Sequence, residues 1–403
     1  MSKAHPWLTI IGIGEDGLSG IGPQGQEAIA QAKVIMGAAR HLECLGPTSA
    51  KQVTWPVPFA DGIPQLMAHA PEPVVALASG DPFWFGAGTS LTKTLDRGDW
   101  TVIPNRSSLT LAASHLGWPI EQIDTFALHA APFEKLRFAL QPTNSKGKIL
   151  VTLRDEAAVA ELVEFLVRHG FGAARLHILE ALGGARERVR VYEAEAMGAD
   201  DFAHPVMVGI DPQGCAALGL PLASGLPDEL FDHDGQITKR PVRAMTLSAL
   251  APRAGERLWD IGGGSGSIAL EWLRTHPSNT AVCFERDAAR AERIGHNAAA
   301  LGLAHLEISH GSAPECLEDH AAPDAIFIGG GLSAPLLETI FNRCAGARLV
   351  ANGVTLEAEA LLAQWHGTHG GTLMRIEIAQ SGPIGRLRGW KSAYPIVQWS
   401  VTV

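Results

Sequence analysis

Leu258-Trp259-Asp260-Ile261-Gly262-Gly263-Gly264-Ser265-Gly266-Ser267 decides how the second half of this chain is read. An apolar run ends in an acid, glycines follow at Gly262, Gly264 and Gly266, and a helical stretch opens at Ser267. Small residues let a backbone approach a ligand closely, and the free N–H groups at a helix N-terminus offer donors to it. Glu285 stands about twenty residues further on, at the end of the run Thr280–Phe284, where a carboxylate accepts both hydroxyls of a ribose. Gly311-Ser312-Ala313, after the run Leu306–Ser309, fits a turn against an adenine. The whole is a nucleotide-binding turn, with a dinucleotide fold and a ligand-free tight turn as alternatives. The acid at Asp260 and the Gly-x-Gly-x-Gly spacing count against the dinucleotide reading.

Working outward, a fresh series of strands and helices begins at Thr238. It reads as helix Pro241–Leu250, strand Arg257–Ile261, helix Ser267–Thr275, strand Thr280–Phe284 and helix Ala288–Leu301. Strands Ala325–Ile328 and Arg348–Ala351 follow, then antiparallel strands Thr372–Ala379 and Ala393–Val403 around a Gly/Arg loop. Before Thr238, the stretch from about Asp211 to Asp234 is rich in Pro, Gly, Ala and Asp without a clear period, and reads as a linker. The first half alternates in the same way: strand Leu8–Ile13, helix Gly25–Lys33, strands Val34–Met36, Val74–Leu77 and Trp100–Ile103, and helix Leu109–Leu116. Strand Lys148–Thr152, helix Glu156–His169 and strands Arg175–Leu179 and Pro205–Gly209 complete it. No repeat at a fixed period relates the halves. The domains are therefore expected at residues 1–212 and 236–403, with a linker at 213–235.

The first half carries its own glycine turn, Gly12-Ile13-Gly14-Glu15-Asp16-Gly17. It matches a dinucleotide fingerprint in letters only, since Gly20, Gly22 and Pro23 keep a helix from opening at Gly17 and no acid follows the second strand. Ser79-Gly80-Asp81-Pro82-Phe83 follows a later strand, and by itself fits a type I turn with Asp first and Pro next.

At 403 residues two or three compact units are expected, and 18% charged residues with 46% hydrophobic ones fit buried α/β layers. A net charge of −10 argues against general nucleic-acid binding. The five cysteines show no CxxC pair and read as reduced. No apolar stretch reaches bilayer length and no signal-peptide pattern precedes Gly12, so a cytoplasmic protein is expected. The sixteen histidines lack metal-ligand spacing, and no metal is expected.

The C-terminal pattern resembles the class of methyltransferases that bind S-adenosylmethionine on a Rossmann-like sheet. Ile237-Thr238-Lys239-Arg240-Pro241-Val242-Arg243-Ala244, Ile328-Gly329-Gly330-Gly331 and Leu349–Glu357 are similar to segments of the C15 methylase/decarboxylase of the cobalamin route. That likeness implies a cofactor pocket at Thr238, Gly262, Gly263, Gly264, Ser265, Gly266, Glu285 and Ala313. Ser79–Gly88 resembles the most specific motif of the tetrapyrrole methylase family, Val102–Ser108 its Pro-Gly-Ile-Ser-Ser turn, and Leu128-His129-Ala130 its Leu-His-Gly segment. Here Asn105-Arg106 replaces Gly-Ile, and Asn tolerates a left-handed backbone better than most residues. The likeness implies cofactor contacts at Ser79, Gly80, Asp81, Ser107 and Ser108.

Joined, the halves resemble the family of precorrin-6Y C5,15-methyltransferases (decarboxylating). The resemblance implies an α/β chain: a tetrapyrrole methylase fold of two α/β subdomains followed by a Rossmann-like class I methyltransferase fold. It implies conversion of precorrin-6Y to precorrin-8X with two S-adenosylmethionine sites per chain, C5 being methylated by the first half. The same resemblance implies C15 methylation and loss of carbon dioxide from the C12 acetate by the second half. A homo-oligomer is expected, of a size the sequence leaves open. Because the substrate is a polycarboxylate, Lys239, Arg243, Arg386 and Arg388 are candidate substrate contacts, with Arg240 and Lys391 beside them, and His129 is a further candidate because it lies inside the Leu-His-Gly-like segment. Arg186, Arg188 and Arg190 read as one exposed strand face. The competing readings are a methyltransferase acting on another tetrapyrrole or small molecule, and an RNA-binding protein, which the lack of basic tracts interleaved with aromatics disfavours.

Overall fold

The computed structural model describes residues 6–141 and 147–403. The chain forms two compact units. One holds the described residues up to Phe133 and from Ala139 to Gly219; the other holds Glu134–Phe138 and Leu220–Val403.

The first unit contains two five-stranded sheets. The first is built from β1 (Leu8–Ile13), β2 (Val34–Gly37), β3 (Lys51–Thr54), β4 (Val74–Ser79) and β5 (Trp100–Ile103), all parallel in the order β3-β2-β4-β1-β5. Leu8, Ile10, Ile11, Val74 and Val75 are buried because both faces of this sheet are covered, which is why β1 and β4 read as unbroken apolar runs. The second sheet holds β6 (Ile123–Ala127), β7 (Lys148–Thr152), β8 (Arg175–Glu180), β9 (Arg188–Glu193) and β10 (Val206–Asp211), in the order β6-β7-β10-β8-β9. Only β6 and β7 run parallel there. The sequence reading lacked β3 and β6; Lys51-Gln52-Val53-Thr54 has no apolar run and forms the edge of its sheet.

The second unit has β11 (Arg257–Ile261), β12 (Thr280–Glu285), β13 (Glu307–His310), β14 (Ala325–Ile328), β15 (Arg348–Gly353), β16 (Thr372–Ile376), β17 (Ala379–Ile384), β18 (Leu387–Ser392) and β19 (Ile396–Thr402). Seven of them form one sheet in the order β13-β12-β11-β14-β15-β19-β16, parallel except for β19, which is antiparallel to β15 and β16. The strand order reverses at β11, between β12 and β14, and ligands of open α/β sheets bind at the carboxyl ends of strands beside such a point. The expected strand Thr372–Ala379 divides at Glu377, and the Gly/Arg loop is the tip and second strand of the β17–β18 hairpin. Helices Ala334–Arg343 and Leu356–His369 were not read from the sequence, although Ser333 and Thr355 cap them through the Leu336 and Ala358 N–H groups.

The stretch read as a linker is structured in its second part. Leu226 and Phe231 are buried in the core of the second unit beside Leu247, Leu270 and Trp272. Glu271, itself buried, accepts the Gly225 and Leu226 N–H groups at 2.7 and 2.8 Å.

Candidate functional site

In the first unit, β4, β1 and β5 are neighbours, so their C-terminal loops meet. The Gly80 N–H donates to Ile13 O at 2.9 Å. A Cβ on Gly12 would stand 2.0 Å from Gly80 O and 2.7 Å from Asn105 N, so glycine here is demanded by the loops packing on one another. Asn105 does not take the expected left-handed backbone. Its amide spans the same gap by donating to Gly12 O at 3.3 Å while its Oδ1 accepts the Arg106 N–H at 2.7 Å. Asp81 Oδ1 accepts the Phe83 N–H at 2.8 Å and closes the turn that its Pro neighbour begins.

These loops floor a cleft of about 770 Å³ whose opposite wall comes from the second sheet of the unit, through His129, Thr152 and Met207. Ser79, Gly80, Ser108 and His129 line it. Asp81 and Ser107 are not among the lining residues. The Ser107 hydroxyl instead accepts the Thr110 N–H at 3.1 Å and caps helix Ser108–Leu116. The His129 ring stands 3.2 Å from Thr152 Oγ1.

Sequence reasoning missed Arg40 and His41 in this cleft. They follow β2, and only the adjacency of β2 and β4 brings them to Ser79. Arg40 donates to Ser79 Oγ at 2.7 Å and pairs with Glu15. His41 Nε2 lies 3.1 Å from the same oxygen, and its Nδ1 is buried without a partner. Burial, with the Arg40 charge adding to it, lowers His41 to about 3, so the ring is neutral at pH 7.

In the second unit, Gly262, Gly264 and Gly266 all have positive φ, +74, +60 and +73°. Each would be strained with a side chain, and a Cβ on Gly262 would meet Gly330 N at 2.6 Å. The turns after β11 and β14 are thus packed backbone to backbone. Glu285, 5% exposed, accepts the Gly264 N–H at 2.9 Å through Oε2 and the Asp287 N–H at 3.0 Å through Oε1. A carboxylate has further lone pairs, so Glu285 retains acceptor capacity beside the glycine turn. The Gly311 N–H donates to Glu285 O at 3.1 Å, which sets the turn before Ala313 against the end of β12. Asp260 Oδ2 accepts the Ala269 N–H at 3.0 Å, and its Oδ1 is buried with no partner, as is Ser265 Oγ. Burial pushes the Asp260 carboxyl up to about 7; the Ala269 N–H opposes this and the Glu285 charge adds to it. Backbone donors, an acceptor carboxylate and two orphaned buried oxygens fit a polar adenosyl ligand.

The basic candidates separate. Lys239 and Lys391 line a second cleft of about 640 Å³ with Arg240, Asp228, Glu229 and Tyr394, and Lys239 Nζ stands 3.7 Å from Asp228. Arg386 and Arg388 lie on the exposed β17–β18 hairpin, outside that lining. Arg243 is fully buried: Nε donates to Glu271 at 2.6 Å, Nη1 to Asp228 at 3.0 Å and Thr238 O at 2.5 Å, and Nη2 to Leu226 O. Its guanidinium pins the helix Arg240–Leu250 to the preceding segment and has no face left for a substrate carboxylate. Thr238 takes part in that network through its carbonyl. Arg188, exposed, and Arg190, half-buried, lie on the edge strand β9, and both donate to the fully buried Glu180, which also accepts the Ala203 N–H at 2.6 Å. No described helix is long and apolar enough to cross a membrane.

Residues 7–197 match the family of Tetrapyrrole (Corrin/Porphyrin) Methylases, and residues 229–403 match a family described as Precorrin methyltransferase domain. A precorrin-6Y C(5,15)-methyltransferase (decarboxylating) from Sinorhizobium sp is 45% identical over 98% of this chain and 96% of its own length. A protein of the same name from Mycobacterium tuberculosis is 39% identical over 98% of this chain and 99% of its own. The crystal structure of the C-terminal domain of precorrin-6Y C5,15-methyltransferase from Rhodobacter capsulatus is 49% identical, covering 46% of this chain and 100% of that one at a TM-score of 0.45. The chain belongs to the precorrin-6Y C(5,15)-methyltransferase (decarboxylating) family.

Proposed function

We propose that this chain converts precorrin-6Y to precorrin-8X in cobalamin biosynthesis, binding S-adenosylmethionine once in each compact unit. The first unit methylates C5, while the second methylates C15 and removes the C12 acetate carboxyl as carbon dioxide. The observation that carries this reading is that each unit gathers its own glycine turn at the carboxyl ends of parallel strands. The two turns differ in design, so each serves its own reaction.

S-adenosylmethionine supplies an electrophilic methyl on a sulfonium, which leaves with its bonding electrons on sulfur as a ring carbon takes the methyl. The protein's part is placement, and proximity of this kind lowers a barrier by roughly 7–11 kcal/mol in favourable cases. In the first unit Gly12, Gly80 and Asn105 shape the floor of the cleft, and Ser79 and Ser108 face into it. Asp81 and Ser107 act on the cofactor through the loops they close. Arg40 holds Ser79 in place, and the neutral His41 beside it adds no charge to repel a sulfonium. In the second unit Gly262–Gly266 form the cradle, Glu285 accepts the ribose hydroxyls and Ala313 borders the adenine. When the acetate loses carbon dioxide, the electron pair of the broken C–C bond passes into the conjugated ring and is later protonated. His129 in the first unit, and Lys239, Arg386 and Arg388 in the second, are the proposed carboxylate partners. Five free cysteines suit a reducing cytoplasm. The reading includes a homo-oligomeric state, which sedimentation measures.

The test is the product mass after incubating the full chain with precorrin-6Y and excess S-adenosylmethionine. Gain of two methyl groups with loss of one carbon dioxide supports the proposal; an unchanged tetrapyrrole overturns it.

A further inference from the structure

Phe85 occupies a conformation that costs the free protein energy. Its φ is +51°, left-handed for a bulky residue, where the β carbon crowds the following carbonyl. Among the described residues only Ala181 and Ala251 share such a backbone without being glycine. The surrounding segment holds it there: a Cβ on Gly86 or Gly88 would strike Pro82 O at 2.6 or 2.7 Å, and the Gly88 N–H donates to Pro82 O at 2.9 Å. The strain gains no burial for the ring, which remains 49% exposed while lining the cleft of the first unit. A strained residue that presents apolar surface to a cleft has a use outside the folded core.

A second aromatic group lines the same cleft. Trp55 and Phe59 stack with ring centroids 4.5 Å apart and an interplanar angle of 18°, and the Trp55 indole N–H donates to Phe59 O at 2.8 Å. Gly62 packs so close that a Cβ there would stand 2.6 Å from the Trp55 ring, so the pair is fixed in advance. Trp84, its ring centroid 5.0 Å from that of Phe85, lines the cleft as well. In the sheet order β3-β2-β4-β1-β5, this aromatic surface rises from the ends of β3 and β4. The glycine floor, by contrast, lies over β4, β1 and β5. The cleft therefore has an aromatic side and a backbone-donor side.

We propose that Phe85, with the preformed Trp55–Phe59 pair, is the contact surface for one face of the tetrapyrrole ring, and that its left-handed backbone is retained to aim the phenyl at that ring. The inference rests on a tetrapyrrole entering the first unit. A broad macrocycle with apolar ring faces matches a surface of aromatic side chains, whereas the adenosyl group finds its partners on the donor side.

The test measures KM for tetrapyrrole and for S-adenosylmethionine in C5 methylation, with Phe85→Ala, Phe85→Gly and Phe85→Leu in the full chain. Phe85→Ala is expected to raise the tetrapyrrole KM about tenfold, the factor that corresponds to losing the exposed half of a phenyl ring as contact surface. The S-adenosylmethionine KM stays within about twofold, and Phe85→Leu falls between Ala and Phe, because apolar bulk is partly kept. Phe85→Gly is expected to match Phe85→Ala in KM yet melt about 2–4 °C higher, since only glycine is free of the left-handed penalty. A tetrapyrrole KM unchanged in Phe85→Ala, or a rise confined to the S-adenosylmethionine KM, overturns the inference while C5 methylation itself stands. A native chain that neither binds nor methylates the tetrapyrrole overturns the underlying assignment as well. C15 methylation by the same variants, read from product mass, reports that the chain is folded.

Discussion

Glu285 Oε2 accepts the Gly264 N–H at 2.9 Å, so a carboxylate at the end of β12 fixes the glycine turn at the end of β11. The residue expected to meet the ribose also shapes the cradle beside it. Glu285→Ala removes both functions. Hydrogen bonds to a charged group contribute about 1.5–3 kcal/mol, and the expected result is a 10–100-fold weaker binding event in the second unit. Calorimetric titration of the full chain with S-adenosylmethionine checks this, with the first unit's binding event as the internal reference. Two unchanged events would remove Glu285 from the ribose.

The glycines of that turn are not equivalent. At Gly262 a Cβ meets Gly330 N at 2.6 Å in addition to a φ of +74°; at Gly264 its nearest neighbour is Gln236 O at 3.3 Å. Gly264→Ala is expected to cost about 1–2 kcal/mol from backbone strain alone, and Gly262→Ala more, because the two turns must also separate. Urea unfolding midpoints of the second unit decide the order. Equal midpoints would mean that the Gly262 and Gly330 turns separate without cost.

Two buried groups tie stability to pH with opposite signs. Asp260 in the second unit is raised to about 7 from an ordinary 3.8. The unfolded chain ionises first, so the stability this group contributes is present below pH 3.8 and is lost as pH rises towards 7. His41 in the first unit is lowered to about 3 from 6.5. Its contribution is present above pH 6.5 and is lost as pH falls towards 3, because the unfolded ring takes a proton that the buried ring refuses. Each slope reaches about 1.4 kcal/mol per pH unit inside its window. Thermal unfolding between pH 4 and 6.5 should show the first unit gaining stability as the second loses it, with His41→Gln flattening one trend and Asp260→Asn the other. Parallel trends in the native chain would contradict both assignments.

Asp81 works through its turn. With Oδ1 accepting the Phe83 N–H at 2.8 Å, Asp81→Ala frees the segment that carries Trp84 and Phe85, at a cost of about 1 kcal/mol. C5 methylation should fall while C15 methylation and decarboxylation persist, and Asp81→Asn, which keeps the acceptor, should retain more of it. Product masses separate the two methylations. Equal loss of both would dissolve the division between the units.

What the sequence determined by itself was local. An apolar run that ends in closely spaced glycines and passes into a helical stretch marks strand, turn and helix locally, so Arg257–Ile261, the turn at Gly262–Gly266 and a helix opening at Ser267 were legible in the sequence. The two-unit α/β plan followed from the same alternation, because side-chain period and turn residues act over a few positions. The tertiary structure decided which charges meet. Arg188 and Arg190 find Glu180 because β9 pairs with β8, and Arg40 and His41 reach Ser79 because β2 lies beside β4. Arg243, chosen from the sequence for a substrate, is instead held by Glu271 and Asp228. Strand order and the burial of a charge depend on contacts between residues far apart in the chain, and no window of sequence contains both partners.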